Sequence, residues 1–374
     1  MLNSFQLIDI VIVIGICQGI FLSLTLQRIS NNNRSANMVL STLLVLATVM
    51  LIGRFVYFRF LNSWVFQWSL LVDSVVFLFG PLLYTYIRRL LFKGNTSYRL
   101  PLVHFTPFVG MIGIALYYIV FYSPEAYYQL LVIGNLTLVF EVLIMLMITF
   151  NIIYLIKSFT LLKRYKTNEK DTFSFDQTPL TYLYFFSIAF GICLLAWLFS
   201  FINATFLDKY LTFVNYESVW VAIPVFIYVI GYFSLKQPEL FRMPLEPKIY
   251  DKKDRLTQPE TELLKEKLNS LMVNEKVFLQ NNLTLKDVAE TLKTSTNNVS
   301  WLLNNVYKTT FYDYINSYRI REFVVKVENK EHLQHTILAL SLDAGFNSKS
   351  TFNKAFKVVM NDTPSNFIKK YRAA

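Results

Sequence analysis

A stretch near the C-terminus, GFNSKSTFNKAF at 345–356, combines a turn with a polar-faced helix. Gly345 suits a turn that needs positive φ, and Ser348 is a good N-cap for the helix that follows. The inward face of this helix comprises Thr351, Phe352, Ala355, Phe356 and Val359. Its outward face comprises Lys349, Ser350, Asn353, Lys354 and Lys357. Lysine pairs with guanine, asparagine with adenine and serine with several bases, so the stretch predicts a helix for a DNA groove.

This helix is the second half of a helix-turn-helix, predicted over about 336–360, in which Phe346 fills the angle between the two helices. The same arrangement is predicted over about 284–306, where Thr284 and Asp287 suggest a capping box and Ser295 or Thr296 caps the second helix. The inward face there comprises Val299, Leu302, Leu303 and Val306. The other face or N-terminal end comprises Asn297, Asn298, Ser300, Trp301 and Asn304.

A single helix is predicted between them, over 311–328, and its length would be about 27 Å at 1.5 Å per residue. Successive major-groove faces on one side of DNA lie ~34 Å apart, so one chain could fill two of them. An amphipathic helix beginning at Pro259 precedes this region. Its apolar face comprises Leu263, Leu264, Leu268, Leu271 and Met272. A helical bundle without DNA is the alternative; the repeated motif, the spacer and the polar second helices favour DNA, although the net charge of this region is modest.

The rest of the chain is of a different kind. The whole sequence is 54% hydrophobic and 16% charged, against ~25% charged in a typical soluble domain. Seven runs have the ~20 apolar residues that a membrane-crossing helix needs. They are 7–26, 38–61, 69–92, 101–122, 130–156, 181–206 and 217–235. The predicted fold is all-α, with a seven-helix transmembrane bundle followed by a cytoplasmic domain that contains two helix-turn-helix units.

Loop charges predict the orientation of this bundle. Basic residues cluster around the loops that follow spans 1, 3 and 5. These are Arg28, Arg34, Arg88, Arg89, Lys93, Arg99, Lys157, Lys163, Arg164, Lys166 and Lys170. The alternate connections are nearly empty, with Lys209 between spans 6 and 7. The positive-inside rule then places the N-terminus outside and the C-terminal domain in the cytoplasm, in a multi-pass protein of the bacterial inner membrane.

Several ionisable residues lie within the predicted spans, where charge is costly and usually faces the bundle interior. Those proposed as sensor residues are Arg54, Arg59, Asp73, His104 and Glu141. Arg54 or Arg59 could meet Asp73 near the outer surface, either as a ligand pocket or as a fixed interhelical ion pair. Glu141, near the middle of span 5, is the better candidate for a functional role.

Catalytic and metal motifs are missing from the sequence. No HExxH, GxSxG or Walker-type motif occurs, so no enzyme and no cofactor are predicted. The pair His332 and His335 has no third ligand nearby, and no metal site is predicted. The two cysteines, Cys17 and Cys193, lie inside apolar runs, which argues against a disulfide framework.

Residues from about 283 to 370 closely resemble the DNA-binding domain of the AraC/XylS family of bacterial transcription regulators. The matching motifs are LTLKDVAETL, FYDYINSYRIRE, GFNSKSTFNKAFK and TPSNF. The combination with seven spans resembles a group of membrane-embedded AraC-type regulators, in which GPLLYTY (80–86) and HFTPF (104–108) look like recurring features.

The resemblance implies which residues contact DNA. Carried over by position, the first helix-turn-helix offers Asn297, Ser300 and Trp301 to base edges, and the second offers Lys349, Ser350 and Lys354, beside which Lys357 is exposed. Trp301 departs from the family's polar residue: it stacks on sugars, touches a thymine methyl group or is buried. The family has glycine where this chain has Lys293 and Lys308. Positive φ costs a non-glycine residue about 1 kcal/mol, which predicts adjusted turns.

The predicted protein is a one-component regulator with a sensor domain at 1–235, a linker at 236–258 and a DNA-binding domain at 259–374. Its expected partners are double-stranded DNA, the lipid bilayer, an unknown ligand or membrane signal, and a second copy of the chain in a homodimer. The signal would pass along span 7 and the linker. The alternative is a transporter-like or receptor protein whose C-terminal domain binds a protein partner or regulates its own operon.

Overall fold

The computed structural model describes residues 7–28, 34–57, 59–60, 63–91, 98–175, 178–207, 216–236 and 256–373. They form two compact bodies, which are named here by their place in the chain. The N-terminal body contains residues of 1–163 and 179–246, and the C-terminal body contains residues of 164–178 and 247–374.

Within the described residues, the N-terminal body and the segment that interrupts it contain nine α-helices. They are α1 (Leu7–Arg28), α2 (Arg34–Tyr57), α3 (Trp64–Ser74), α4 (Val76–Leu91), α5 (Thr106–Phe121), α6 (Pro124–Val132), α7 (Thr137–Glu169), α8 (Thr178–Thr205) and α9 (Tyr216–Lys236). Among them α1 packs against α2 and α9, α2 against α4, and α3 against α5.

Six helical stretches in the described part of the chain are long and apolar enough to cross a membrane. They are Ile8–Arg28, Arg34–Val56, Trp64–Leu91, Leu102–Phe121, Thr137–Thr167 and Leu180–Thr205. The apolar part of α9, Trp220–Phe233, is shorter. Each corresponds to one of the seven predicted runs, and the bundle carries large apolar side chains on its outside, such as Phe121 and Leu138, both 72% exposed.

Two of the predicted spans differ in detail from the structure. The third begins earlier and is two helices, α3 and α4, that meet at Val75. The fifth, predicted at 130–156, begins later and ends later, as α7. Ser123 caps the short helix α6 with Pro124 in its first turn, and Gly134, at φ +87°, lies in the turn between α6 and α7. The apolar pattern runs unbroken through this turn, so hydropathy alone could not separate the two helices.

A buried amide joins α7 to α4. Asn151 is fully buried, and its Oδ1 accepts a hydrogen bond from the N–H of Gly80 at 2.8 Å. Its Nδ2 donates to the carbonyl of Val76 at 3.2 Å, one helical turn before Gly80. A Cβ on Gly80 would lie 2.9 Å from the Tyr154 Cβ, so glycine allows this close approach. Pro81 follows directly and offers no N–H to the helix.

In the part of the C-terminal body that the structure describes there are seven further α-helices. They are α10 (Gln258–Val273), α11 (Leu285–Thr291), α12 (Thr296–Trp301), α13 (Phe311–Glu328), α14 (Ile337–Asp343), α15 (Lys349–Met360) and α16 (Pro364–Ala373). α12 continues as a π-helical turn at Leu302–Val306. The 18 residues of α13 match the predicted spacer helix, 311–328.

Two apolar cores share α13. The first core joins α10, α11 and α12 to the N-terminal half of α13, with Phe311 and Ile315. The second joins α14, α15 and α16 to its C-terminal half, with Ile320 and Phe323. Because one helix contributes to both cores, the two helix-turn-helix units are held on a continuous helical element.

Two predicted core positions in this body are wrong. Leu263 on α10 is 52% exposed and Val359 on α15 is 41% exposed. Each lies beside a residue that does face the core or its edge, Leu264 and Met360. Helical spacing locates an apolar stripe, but the neighbouring helices set how wide the covered part of that stripe is.

Candidate nucleic-acid interface

The turn of the second helix-turn-helix is built around Gly345, whose φ is +96°. A Cβ at this position would lie 2.5 Å from the carbonyl oxygen of Phe278 and 2.8 Å from Leu279 Cα. Glycine is therefore required both by the backbone conformation and by the close approach of a second segment. Phe346 is fully buried behind the turn, as predicted.

The second helix of this unit, α15, presents a continuous polar face. Ser348 caps it by accepting a hydrogen bond from Thr351 N at 3.2 Å. The predicted inward residues Phe352 and Phe356 are fully buried. The predicted outward residues Lys349, Ser350, Asn353, Lys354 and Lys357 are all exposed. Three lysines and two small polar side chains therefore lie together on one side of the helix.

The turns of the first helix-turn-helix are strained rather than adjusted. Thr284 and Asp287 form the predicted capping box at the start of α11. Lys293 and Lys308 adopt φ of 51° and 53°, so lysine occupies the left-handed region at both positions. The expected adjustment did not occur, because hydrogen bonds close the turns, with Thr294 N donating to Ala289 O at 3.0 Å.

The polar residues of the first unit are less accessible than those of the second. Ser295 is the N-cap of α12 and accepts from Asn298 N at 3.1 Å. Asn297, Ser300 and Trp301 are each half-buried. Asn297 Oδ1 is a buried acceptor without a hydrogen-bond partner in the structure.

Trp301 has a structural contact as well as a partly exposed surface. It packs against the first apolar core, and its carbonyl oxygen accepts from Asn305 Nδ2 at 3.0 Å. Ser300 Oγ accepts from Asn304 Nδ2 at 3.2 Å. These contacts lie within one turn of the helix and hold its polar face in a fixed arrangement.

Arg319, on α13, is a central residue that the sequence reading did not single out. It is fully buried, and its guanidinium donates to the carbonyl oxygens of Phe278 at 2.7 Å and Gln280 at 2.6 Å. It lies 5.7 Å from the centre of the Phe346 ring. Burial lowers the pKa of Arg319 to about 10. The arginine therefore ties the segment before α11 to the turn of the second unit. Its only sequence signal is its place inside the YINSYRIRE motif.

The N-terminal body contains a half-open cavity of about 410 Å³. Its lining is mostly apolar and aromatic, with a few polar side chains. The polar lining residues are Arg54, Asp73, Asn151 and Cys193. Two tryptophans, Trp197 and Trp220, and several methionines complete the wall. An apolar pocket with a few convergent polar groups is the usual form of a small-molecule site.

The predicted sensor residues fall into three places. Arg54 and Asp73 line the cavity together. Arg59 instead forms an ion pair with Asp9, at 3.0 Å, so of the two arginines offered as neighbours of Asp73 it is Arg54 that shares the cavity lining with it. Asp9 lies fifty residues earlier in the chain, and spacing alone could not show that α1 rather than α3 supplies the partner.

The other two predicted sensor residues lie outside the cavity lining. His104 Nδ1 is hydrogen-bonded to the Tyr154 hydroxyl. Glu141 is half-buried on α7, whereas its neighbour Phe140 lines the cavity. The polar residue that α7 contributes to the lining is Asn151, which sequence reading missed because an amide carries no charge.

The fold and the polar faces define a DNA-binding domain of the double helix-turn-helix class. Residues 288–370 match the family model of a helix-turn-helix domain of the AraC type. Comparison with curated proteins and with solved structures found no match. The chain thus combines an AraC-type DNA-binding domain of transcription regulators with a set of apolar helices that suits a membrane region.

Proposed function

We propose that the protein is a membrane-embedded one-component transcription regulator. Its apolar helices cross the bacterial inner membrane, its C-terminal body binds DNA sequence-specifically in the cytoplasm, and its membrane region controls that binding. The observation that carries the proposal is the polar face of α15, Lys349 to Lys357, within a match to DNA-binding regulators. The large apolar side chains on the outside of the bundle support its placement in lipid.

The residues proposed to contact bases are Asn297, Ser300 and Trp301 in the first unit and Lys349, Ser350 and Lys354 in the second, with Lys357 beside them. Lysine pairs best with guanine and asparagine with adenine. The cores that share α13 fix the spacing of the two units, which favours binding to successive major-groove segments along one side of the duplex.

The cavity is the proposed sensory site. Its walls suit an apolar or aromatic small molecule that reaches it from the lipid or from the outer side, with Arg54, Asp73 and Asn151 positioned to orient a polar group. Such a ligand can change DNA binding only if it binds two arrangements of the bundle with different affinity.

The DNA-binding proposal is tested with the full chain in lipid nanodiscs. Genomic fragments are selected on the protein, and the affinity for the best fragment is measured across a range of salt. Lys349→Ala/Lys354→Ala should weaken binding to the best fragment and relax its sequence preference, because lysines that contact base edges carry sequence information. Removing two cationic side chains from the interface should also flatten the slope of log affinity against log salt, by up to about 2 units. The matched control, Lys265→Ala/Lys267→Ala on α10, removes the same charge and should leave the slope unchanged. Equal slopes for both double variants would contradict the proposal.

The sensing proposal is tested by filling the cavity. Met111 is buried and lines it from α5. Met111→Trp adds bulk without adding charge, and it should shift DNA affinity in the full chain by about tenfold, a typical coupling. The control is Val109→Trp, on the exposed face of the same helix. A DNA affinity that neither variant alters would refute a sensory role for the cavity.

A further inference from the structure

The C-terminal body contains a segment that is distant from it in the chain. Residues 164–178 lie in the same compact body as α10 to α16. α7 ends at Glu169, and the six residues that follow, 170–175, run along α11 and α13. We call these six residues the clip. Phe173 forms an antiparallel β-bridge with Thr284, the N-cap of α11.

The clip satisfies donors at the starts of two helices. The first N–H groups of an α-helix have no partner within the helix. Thr172 O accepts from Leu285 N, in the first turn of α11, at 2.9 Å. Lys170 O accepts from Tyr312 N, in the first turn of α13, at 2.9 Å. Alternate carbonyl groups of the clip therefore cap the first helix of the first helix-turn-helix and the helix that joins the two units.

Ser174 makes the deepest contact of the clip. It is fully buried, and its hydroxyl donates to the carbonyl of Leu283 at 2.7 Å. Its own carbonyl accepts from Arg319 at 3.0 Å and from Asn316 Nδ2 at 3.2 Å. Without the clip, the guanidinium of a fully buried arginine would lose an acceptor, which is costly in a low-dielectric interior.

The clip also reaches the polar face of the first unit. The Asp171 carboxylate interacts electrostatically with the Asn304 amide, and Asn304 donates to Ser300, one of the proposed base-contacting residues. Lys170 Nζ lies 5.7 Å from the centre of the Tyr312 ring. A shift of the clip would thus change contacts at both ends of the first helix-turn-helix and, through Arg319, the turn of the second.

We propose that the surface formed by the start of α11 and the first half of α13 is a peptide-docking site whose occupant is the clip, and that α7 and the clip carry the state of the membrane region to the DNA-binding helices. The proposal rests on the function proposed above and assigns the route of coupling to 170–175. The docked clip is the DNA-competent state, because it caps α11 and α13 and fixes Arg319, on which the relative placement of the two units depends.

Docking is tested by a disulfide in the full chain in nanodiscs. Phe173 and Thr284 form a bridge flanked by Ser174 N–Leu283 O and Leu285 N–Thr172 O hydrogen bonds, which is the non-hydrogen-bonded kind of antiparallel pair. Such pairs have Cα atoms about 4.5 Å apart, within the range of disulfides. Phe173→Cys/Thr284→Cys should cross-link within one chain on mild oxidation. Phe173→Cys/Glu290→Cys, with the second cysteine on the exposed face of α11, should not.

Three outcomes of this cross-linking decide the docking step. A bond within the chain supports it. A bond that forms only between two chains shows that the clip is exchanged between copies and overturns the assignment within one chain. The absence of any bond, with the variant still folded by circular dichroism, overturns docking altogether. The single-cysteine variants, Phe173→Cys and Thr284→Cys, control for cross-links that involve Cys17 or Cys193. The second also controls for the loss of the Thr284 cap.

Coupling is tested by adding Met111→Trp to the Phe173→Cys/Thr284→Cys chain and measuring affinity for the selected genomic fragment. In the reduced chain the cavity change should alter affinity by about tenfold. In the oxidised chain, where the clip cannot move, the effect should fall below twofold.

An effect of equal size in both redox states would overturn the clip as the route and leave the regulator proposal intact. If Met111→Trp has no effect in either state, the sensory cavity and the route through the clip both fail. Cross-linking still decides whether the clip occupies the docking site.

Discussion

The two helix-turn-helix units follow one plan but are completed differently. The second turns at a glycine, and its second helix is a regular α-helix of 12 residues with an exposed polar face. The first turns at Lys293 in the left-handed region, and its second helix has six α-helical residues before a π-helical turn. Its proposed base-contacting residues, Asn297, Ser300 and Trp301, are half-buried. The clip caps the first helix of this unit from outside.

The difference teaches where control is easiest to exert. The core of the second unit comes from residues that follow Arg319 in the chain. The first unit depends on the clip, whose six residues directly follow α7, a helix of the apolar region. On the proposal above, a change in the bundle therefore reaches the first unit first, and the second unit provides constant affinity for DNA.

The largest expected effect is at the turn of the second unit. Gly345→Ala places a Cβ 2.5 Å from the Phe278 carbonyl oxygen at a φ of +96°. We expect a loss of about 3 kcal/mol or more in the stability of the C-terminal body. Urea unfolding of the full chain, followed by hydrogen exchange in α14 and α15, measures it. Gly113→Ala, where a Cβ meets nothing within 4 Å, should be close to neutral.

Removing the N-caps compares the two second helices directly. Ser295→Ala and Ser348→Ala should each cost about 1 kcal/mol. Ser348 should cost more, because its hydroxyl also donates to the buried Thr351 Oγ1 at 2.9 Å. Chemical unfolding of the two variants side by side gives the difference. A larger loss for Ser295→Ala would show that the first helix is the less tolerant of the two.

A glycine at the first turn should change stability in the opposite direction. Lys293→Gly relieves the left-handed strain of a lysine at φ 51°. The gain is partly offset by the greater freedom of glycine in the unfolded chain, so the expected net stabilisation is about 0.5 kcal/mol. Lys293→Ala keeps the strain and serves as the control. If both variants behave alike, the turn is not strained.

The smallest expected effect depends on pH and concerns the clip. Burial raises the pKa of Asp171 in the folded chain, opposed in part by the favourable interaction with the Asn304 amide and reinforced by the nearby Asp313 charge. The ionised form of Asp171 therefore destabilises the docked clip at neutral pH. This destabilisation disappears as the pH falls through the raised pKa, because the carboxyl group is then neutral.

Asp171→Asn should accordingly raise Tm slightly at pH 7, by an amount equivalent to a few tenths of a kcal/mol, and the advantage should vanish under acidic conditions. The two chains are compared by thermal unfolding over pH 4.5 to 7. An advantage for the asparagine variant that grows as pH falls would contradict the raised pKa.

Local patterns predicted much of this molecule. The caps Thr284 and Ser348, the turn at Gly345 and the buried Phe352 and Phe356 follow from short-range spacing, and the structure confirms them. The lengths of the apolar runs likewise located the helices that are long and apolar enough to cross a membrane. The boundaries of the domains and the linker at 236–258 stay predictions, and residues 237–255 lie outside the described part of the chain.

Contacts between distant segments could not be predicted in this way. The partner of Arg59 is Asp9, and the cavity residue of α7 is the neutral Asn151 rather than Glu141. No sequence pattern marked the clip, apart from the basic residues around it. The role of Ser174 is visible only in the fold, where its carbonyl accepts a hydrogen bond from Arg319. Each of these pairings depends on tertiary packing between segments that are distant in the chain. No fixed spacing in the sequence marks such a pairing.

The contact between Ser174 and Arg319 joins residues 145 positions apart, and the loop that it closes contains α8 and α9. The entropic cost of closing so long a loop is modest, since each doubling of loop length adds only about 0.6 kcal/mol. The closure does, however, fix an order of events during synthesis. The clip leaves the ribosome before the helices that it caps, and it waits while two further apolar helices are made. The C-terminal body can therefore be completed only after the apolar helices α1 to α9 have been made.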